Sequence, residues 1–103
     1  GKNEPRLVRF NGFRLEALPA GPMLYVQNND VPGVIGILGT TLGNGGVNIS
    51  RMTVGVQRDG DRDVNVILLN TGSVVSKELL DTVRALDNIH AAMVLELPEL
   101  PGA

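Results

Sequence analysis

One short stretch of the chain combines side chains and backbone features that could bind a small zwitterion. Asp30, Pro32 and Gly33 follow one another closely, as at a helix start where an aspartate accepts a capping hydrogen bond and proline occupies an early position. The amides of Gly33 and Val34 would then lack helical partners and would favour an anion such as a carboxylate. Asn28 and Asp30 would face an ammonium and a hydroxyl. These groups fit a free α-amino acid, while simple capping by Asp30 is the alternative interpretation.

The rest of the sequence contains no convincing pattern of catalytic or metal-binding residues. His90 is the only histidine, and no serine, cysteine or carboxylate stands at a spacing that suits a catalytic triad. The glycines of residues 39–46 fall at the end of a predicted helix, where the negative end of the dipole disfavours phosphate. Aspartates alternate over residues 59–63 as in a calcium loop, but the downstream glycine and glutamate of that loop are missing. We therefore expect no catalytic residue and no metal site, and we interpret residues 59–63 as a solvated turn.

Composition limits the class of protein. The chain has 103 residues, 43% of them hydrophobic, which suits one compact domain with a modest core, and its formal net charge is -2. The few aromatic residues and the lack of a basic stripe argue against nucleic-acid binding. No apolar run approaches the roughly 20 residues that span a bilayer, and the first residues do not resemble a signal peptide. Because there is also no cysteine for disulfides or thiolate metal sites, we expect a cytoplasmic protein.

A β-hairpin is predicted near the start of the chain. Residues 6–10 and 13–18 are strand-like and flank Asn11-Gly12, the dipeptide that most favours a two-residue type I' turn. This register pairs Phe10 with Phe13, Val8 with Leu15 and Arg9 with Arg14. Residues 19–22 follow as a Pro- and Gly-rich linker. We interpret residues 1–21 as the hairpin and linker that remain from a preceding domain.

From residue 23 onward, the hydrophobic pattern predicts the order strand, helix, strand, strand, helix, strand. The first helix covers about residues 31–44 and ends at Gly45 and Gly46, which suit the left-handed conformation of helix ends. Ser76 is predicted to cap the second helix. The buried stripe of that second helix is predicted to consist of Leu79, Leu80, Val83 and Leu86.

Four strands complete this pattern, at residues 23–27, 47–57, 63–70 and 89–97, with a polar turn at 58–62. In the strand of residues 63–70 we expect one face toward the core and the other away from it. The inward set is Val64, Val66 and Leu68, and the opposite set is Asn65 and Ile67. The order βαββαβ at this length predicts an α+β, ferredoxin-like sandwich over residues 22–103, with four antiparallel strands and two helices on one face. Since one face and one edge of such a sheet stay open, we expect a dimer.

The segment from Asn28 to Ser50 resembles the signature of ACT domains, which are amino-acid-sensing regulatory modules. The resemblance lies in Asn-x-Asp-x-Pro-Gly-Val-Ile-Gly followed by Gly-Val-Asn-Ile. Residues 7–17 and 52–55 are similar to the D-3-phosphoglycerate dehydrogenase family, whose C-terminal ACT domain follows an intervening domain. The resemblance implies the regulatory end of an NAD-dependent enzyme of serine synthesis that is inhibited by L-serine. It implies no cofactor in this region, because NAD is bound elsewhere in the parent enzyme.

The same resemblance implies which residues contact the effector. By position these are Asn28, Asp30 and Asn48, with the nearby backbone of Val31, Pro32, Gly33 and Val34. Val31 stands where the family commonly has arginine before the proline, so this chain lacks one positive charge beside the site.

The length of the first helix has a consequence for this site. A helix of roughly 13 residues between Asp30 and Asn48 is about 20 Å long, so both ends cannot touch one serine within one chain. We therefore expect a site shared by two chains whose first helices meet about a two-fold axis. The residues expected at that dimer interface are Gly36, Gly39, Gly43, Ile49 and Arg51. Tight packing of the three glycines on the chain's own sheet is the alternative.

Two other functions remain open at this point. An ACT domain of this kind also regulates L-serine dehydratase, a lyase, and the catalytic part would be needed to separate the two enzymes. The third interpretation is a dimerisation module that binds no ligand. The expected partners are thus L-serine or another small amino acid and a second copy of the chain, with no nucleic acid and no membrane.

Overall fold

The computed structural model describes residues 6–10, 13–17 and 21–97, and it describes side chains within 21–95 with the exception of residue 59. These residues form six strands and two helices. In chain order they are β1 (Arg6–Phe10), β2 (Phe13–Ala17), β3 (Gly21–Asn28), α1 (Val34–Asn44), β4 (Ile49–Asp59), β5 (Arg62–Thr71), α2 (Lys77–Arg84) and β6 (Ile89–Leu97). We refer to residues 29–33 as the β3–α1 loop and to residues 85–88 as the α2–β6 loop.

The main sheet has the strand order β4-β5-β3-β6, and every neighbouring pair is antiparallel. Both helices pack on one face of this sheet, because residues of α1 and α2 share a buried cluster with alternate residues of β3 and β5. The predicted α+β, ferredoxin-like fold is therefore confirmed. No helix among the described residues is long and apolar enough to cross a bilayer.

The core is built from two different periodicities. On α1, Val34, Leu38 and Leu42 are buried at intervals of four residues, as expected for one helical face. On the sheet, the core face of β5 consists of Ile67 and Leu69, so the predicted inward set of Val64, Val66 and Leu68 is wrong. Alternation fixes which residues share a face but not which face meets the helices. The error arose because Val66 and Leu68 are also buried, on the opposite face of this central strand.

The predicted pairing of the hairpin is confirmed, but the predicted linker is wrong in part. β1 and β2 pair with Phe10 opposite Phe13, Val8 opposite Leu15 and Arg9 opposite Arg14, as predicted, while the Asn11-Gly12 turn lies outside the described residues. The linker prediction is wrong for Gly21 and Pro22, which begin β3 and pair with the end of β6. The other two linker residues lie outside the described part of the chain, and the division into two domains stays a prediction.

The boundaries of α1 explain much of the local geometry. The helix begins at Val34, with Gly33 as N-cap at a φ of 91°, so the predicted start at Val31 and the cap at Asp30 are wrong. A left-handed residue just before the helix suits glycine, and it delays the helix by three residues. At the other end, the amide of Gly46 (φ 80°) donates to the carbonyl oxygen of Gly43 at 3.0 Å, so the predicted glycine stop is confirmed.

The remaining elements are of the predicted type, although some begin or end at other residues than predicted. β4 begins at Ile49 rather than at residue 47, because Val47 is buried in the core and its amide donates to Leu42 at the helix end. The β4–β5 turn has only two residues, 60 and 61, and Arg58 pairs with Asp63 across it at 3.2 Å. Ser76 caps α2 as predicted, since its Oγ accepts a hydrogen bond from the amide of residue 79. In the predicted α2 stripe, the buried residues are Leu80 and Val83, and the partly buried ones are Leu79 and Leu86.

Candidate functional site

The N-terminus of α1 is open toward solvent and carries no negative side chain. Its N-cap, Gly33, has no side chain to accept a hydrogen bond, and the first turn contains no acidic residue, all within the described segment. The first amides of an α-helix have no acceptor inside the helix, and they lie at the positive end of the dipole. The turn that begins at Val34 can therefore accept a small anion such as a carboxylate.

A shallow pocket of about 290 Å³ lies directly at this helix end. Pro32, Gly33, Val34 and Ile37 line one side of it, so three predicted site residues come together there, whereas Asn28, Asp30 and Val31 do not line the pocket. The opposite side is formed by the α2–β6 loop through Asp87 and Asn88. The pocket thus lies between the helix N-terminus and two residues whose side chains are a carboxylate and an amide. These are groups that can bind the two charged ends of a zwitterion.

Asp87 and Asn88 do not figure in the sequence-based site. Their place beside the predicted site could be inferred only from the strand pairing of the fold. In that pairing β3 and β6 are antiparallel neighbours, and Asn28 lies opposite Ile89. That pairing brings the loop after β3 against the loop before β6. Strand order therefore has to be known before Asp87 can be placed beside Gly33.

Asn28 lies at the end of β3 and is 7% exposed. Its Nδ2 donates to the carbonyl oxygen of Asn29 at 2.9 Å, whereas its buried Oδ1 has no hydrogen-bond partner among the described residues. A buried acceptor without a donor costs about 1–3 kcal/mol relative to a satisfied one. Such a group is stabilised by any ligand that brings an N–H or O–H donor.

Asp30 and Val31 are both exposed, and Val31 has 41% of its surface accessible. Because Gly33 is the N-cap, the carboxylate of Asp30 is not used as a helix cap. The capping alternative for Asp30 is therefore wrong. The side chain remains available to a cationic group at the rim of the β3–α1 loop.

Asn48 is exposed and lies at the far end of α1, between Val47 and β4. Eleven helical residues separate it from the β3–α1 loop, which corresponds to roughly 16 Å along the helix. Its own carbonyl oxygen accepts a hydrogen bond from the amide of Gly72 at 2.9 Å, which fixes the backbone there. Asn48 is not among the residues that line the pocket at the other end of its own helix.

The glycine stripe of α1, formed by Gly36, Gly39 and Gly43, faces open space. A Cβ added at any of the three would meet no described atom within 4 Å outside its own helix backbone and chain neighbours. The alternative of tight packing on the chain's own sheet is therefore wrong. Of the other two residues expected at an interface, Ile49 packs partly against the core and Arg51 is half-buried on β4.

His90 is exposed on β6, and its Nε2 lies 2.6 Å from Oδ1 of Asn29. This partner is an amide and not a nucleophile or an acid. In the described part of the chain, no group of three or more His, Cys, Asp or Glu side chains could hold a metal ion.

Comparison with known proteins points to one group of enzymes. No protein-family model matches the chain. The chain is 32% identical over 95 residues to D-3-phosphoglycerate dehydrogenase of Methanocaldococcus jannaschii, which covers 92% of this chain and 18% of the relative. The Archaeoglobus fulgidus enzyme of the same name gives 32% identity with the same coverage. The Bacillus subtilis enzyme is 33% identical over an alignment of 89 residues, and the match covers 74% of this chain and 17% of the relative. The chain thus spans less than a fifth of these relatives.

Proposed function

The chain belongs to the D-3-phosphoglycerate dehydrogenase family, and we propose that it is an ACT domain that binds L-serine at a dimer interface and thereby regulates such an enzyme. The parent enzyme would be an NAD-dependent oxidoreductase of serine synthesis, with NAD and the catalytic residues outside this region. L-serine, as the end product, would act by feedback inhibition.

The observation that carries this proposal is the buried Oδ1 of Asn28, which lacks a donor among the described residues. It belongs to the residue that directly precedes the β3–α1 loop, and that loop leads to a helix N-terminus without an acidic side chain. A fold that only needed to be stable would satisfy this acceptor or replace it by an apolar group. We infer that one ligand with an ammonium or hydroxyl donor at one end and a carboxylate at the other satisfies both features, by reaching from the pocket to Asn28, which does not line it.

We assign the groups of L-serine by charge. The carboxylate lies at the amides of the first turn of α1, near Gly33 and Val34. The ammonium lies toward the exposed carboxylate of Asp30 and the Oδ1 of Asn28, both of which accept hydrogen bonds. The hydroxyl is left for Asn48, whose amide side chain both donates and accepts.

Asn48 has to come from a second chain, because α1 separates it from Asp30 by its whole length. In a dimer with antiparallel α1 helices, Asp30 of each protomer approaches Asn48 of its partner, which makes two sites. The open glycine stripe of α1 permits close approach of the two helices. Ile35 is next to this stripe and is 48% exposed, so apolar surface is available to stabilise the contact.

The sheet offers apolar surface on the same side. β4 is an edge strand of the main sheet, and Val54 on it is 55% exposed. Val54 pairs with Ile67, a core residue under the helices, so Val54 lies on the helix face of the sheet. A ligand that bridges two protomers favours the dimer geometry that it binds, and this difference in affinity is the free energy available for regulation.

The proposal is tested by titrating the purified chain with a panel of amino acids in a calorimeter, together with thermal unfolding. L-serine at about 100 times its dissociation constant should raise the free energy of unfolding by roughly 2.7 kcal/mol. D-serine is the matched control, because it has the same groups but cannot place all of them at once. Failure of every L-amino acid to bind would overturn the effector proposal and favour the ligand-free dimerisation module. The L-serine dehydratase alternative is disfavoured because the relatives reported above are all dehydrogenases.

A further inference from the structure

We propose that Asn29, Asn88 and His90 form a hydrogen-bonded clamp that holds the β3–α1 loop against the α2–β6 loop and thereby sets the affinity of the effector pocket. This inference rests on the proposed function for its ligand, but the clamp itself is a property of the unliganded chain. In this account Asn29 and His90 are positioning residues, which act on the ligand through the loop and do not touch it.

Asn29 connects the β3–α1 loop to the α2–β6 loop and to β6 through its backbone amide and its side chain. Its backbone amide donates to the carbonyl oxygen of Asn88 at 2.9 Å, and its Nδ2 donates to Oδ1 of Asn88 at 3.1 Å. Its Oδ1 lies 2.6 Å from Nε2 of His90. Its carbonyl oxygen accepts from the amide of Val31 and from Nδ2 of Asn28, at 3.0 and 2.9 Å. One residue thus links the end of β3, the turn toward α1 and the start of β6.

The contact between Asn29 and His90 requires a donor on the histidine ring. Because Nδ2 of Asn29 donates to Asn88, the Oδ1 of Asn29 is directed at His90 and can only accept. The contact is therefore a hydrogen bond when Nε2 of His90 carries the proton.

The clamp can affect the shape of the pocket, because the pocket lies between the same two loops that the clamp joins. Pro32 and Gly33 line it from the β3–α1 loop, and Asp87 and Asn88 line it from the α2–β6 loop. Asn88 itself has a φ of 68°, an unusual conformation for a residue other than glycine. Asn88 thus lines the pocket and also accepts two hydrogen bonds from Asn29, so we expect a change in the clamp to change the distance between the pocket walls.

The clamp is not needed to build the core. Asn29, Asn88 and His90 are all exposed, and none of them belongs to the buried hydrophobic cluster. Truncating them leaves no cavity, so we expect the variants to fold. This allows an effect on the pocket to be separated from an effect on stability.

The test compares Asn29→Ala, His90→Ala and His90→Gln in the full chain, with L-serine as the probe. Asn29→Ala removes the side-chain hydrogen bonds to both Asn88 and His90, and His90→Ala removes one of them, so each change should weaken L-serine binding about fivefold or more. Glutamine keeps an Nε2–H donor at a similar reach, so His90→Gln should restore most of the affinity. The double alanine variant should bind about as weakly as the weaker single variant, since both changes break the same clamp.

A readout without ligand completes the test. Hydrogen exchange of the amide of residue 29 should be about fivefold faster in Asn29→Ala and in His90→Ala. If the chain binds L-serine and the variants bind it with unchanged affinity, the clamp is overturned while the proposed function stands. If the wild-type chain binds no amino acid, the proposed function fails, and unchanged hydrogen exchange in the variants would overturn the clamp as well.

Discussion

Gly45 lies directly against Leu79, and this contact joins the end of α1 to α2. A Cβ at Gly45 would come within 2.7 Å of both Cδ atoms of Leu79, closer than real Cβ contacts. The backbone of Gly45 is not left-handed, with a φ of -84°, so space and not conformation requires glycine here. This distinguishes Gly45 from Gly46, whose positive φ makes glycine favourable for backbone reasons.

The first prediction follows from this contact. Gly45→Ala should lower the free energy of unfolding by about 1 kcal/mol, because the end of the Leu79 side chain must move to admit the methyl group. Gly72→Ala is the matched control, since a Cβ there would make only ordinary contacts, with the nearest atom at 3.8 Å. Urea unfolding of both variants measures the difference. Equal stability of the two variants would contradict the contact.

The second prediction concerns the glycine stripe of α1. Gly36→Ala and Gly39→Ala should each raise the intrinsic stability of the helix by up to about 1 kcal/mol, because both positions face open space in the described structure. The same changes should weaken self-association if the helices meet there. Sedimentation at several concentrations, combined with unfolding of the monomer, separates the two effects. A dimer that is unaffected even by Gly39→Leu would show that this face is not the interface, and Lys77→Leu on the exposed surface of α2 serves as the control.

The third prediction concerns Asn28. Replacing it with leucine, which has the same branching but is larger, removes the unsatisfied buried Oδ1 together with the Nδ2 hydrogen bond to Asn29, so stability should stay within about 1 kcal/mol of the wild type. Binding of L-serine should be lost in the same variant. Unfolding and calorimetric titration of Asn28→Leu measure both quantities. A strongly destabilised variant that still binds L-serine would contradict the role given to Asn28.

The fourth prediction concerns Val31, where the resemblance to ACT domains implies an arginine. Val31 is 41% exposed, so an arginine fits there without repacking. Val31→Arg should strengthen L-serine binding by about two- to fivefold at low salt, because it adds a positive charge near the carboxylate position, and the gain should shrink in high salt. Val31→Gln keeps much of the length without the charge and should bind like the wild type. An equal gain in both variants would exclude an electrostatic cause.

The sequence predicted the fold well because each element has a strong local signal. The glycine pair at 45–46 ends α1 and Ser76 begins α2, and both signals act within one or two turns of the chain. Two errors arose where local patterns allow two answers. Asp30-Val31-Pro32 looks like a helix start, but the left-handed Gly33 moves the start to Val34. β5 is apolar on both faces, so its alternation could not identify the face toward the helices.

The candidate site was predictable only in part. Pro32, Gly33 and Val34 meet at one pocket as their spacing suggested, since they belong to one local segment. Asp87 and Asn88 are far from them in the chain, and only the β3–β6 pairing brings them together. The sequence also could not show that the glycine stripe faces open space. This depends on how α1 is oriented on the sheet, which the helical periodicity alone does not determine.

The central claim is that each effector site takes Asp30 from one protomer and Asn48 from the other. It is tested most directly by mixing unfolded Asp30→Ala and Asn48→Ala chains, refolding them together and titrating L-serine. Neither variant should bind on its own, and the mixed dimers should recover one intact site each, so that about a quarter of the wild-type sites return at random pairing. Asp61→Ala, at the exposed β4–β5 turn, is the matched control and should bind fully. Mixed samples that bind no L-serine, while the wild-type chain binds it under the same conditions, would contradict a site shared between protomers.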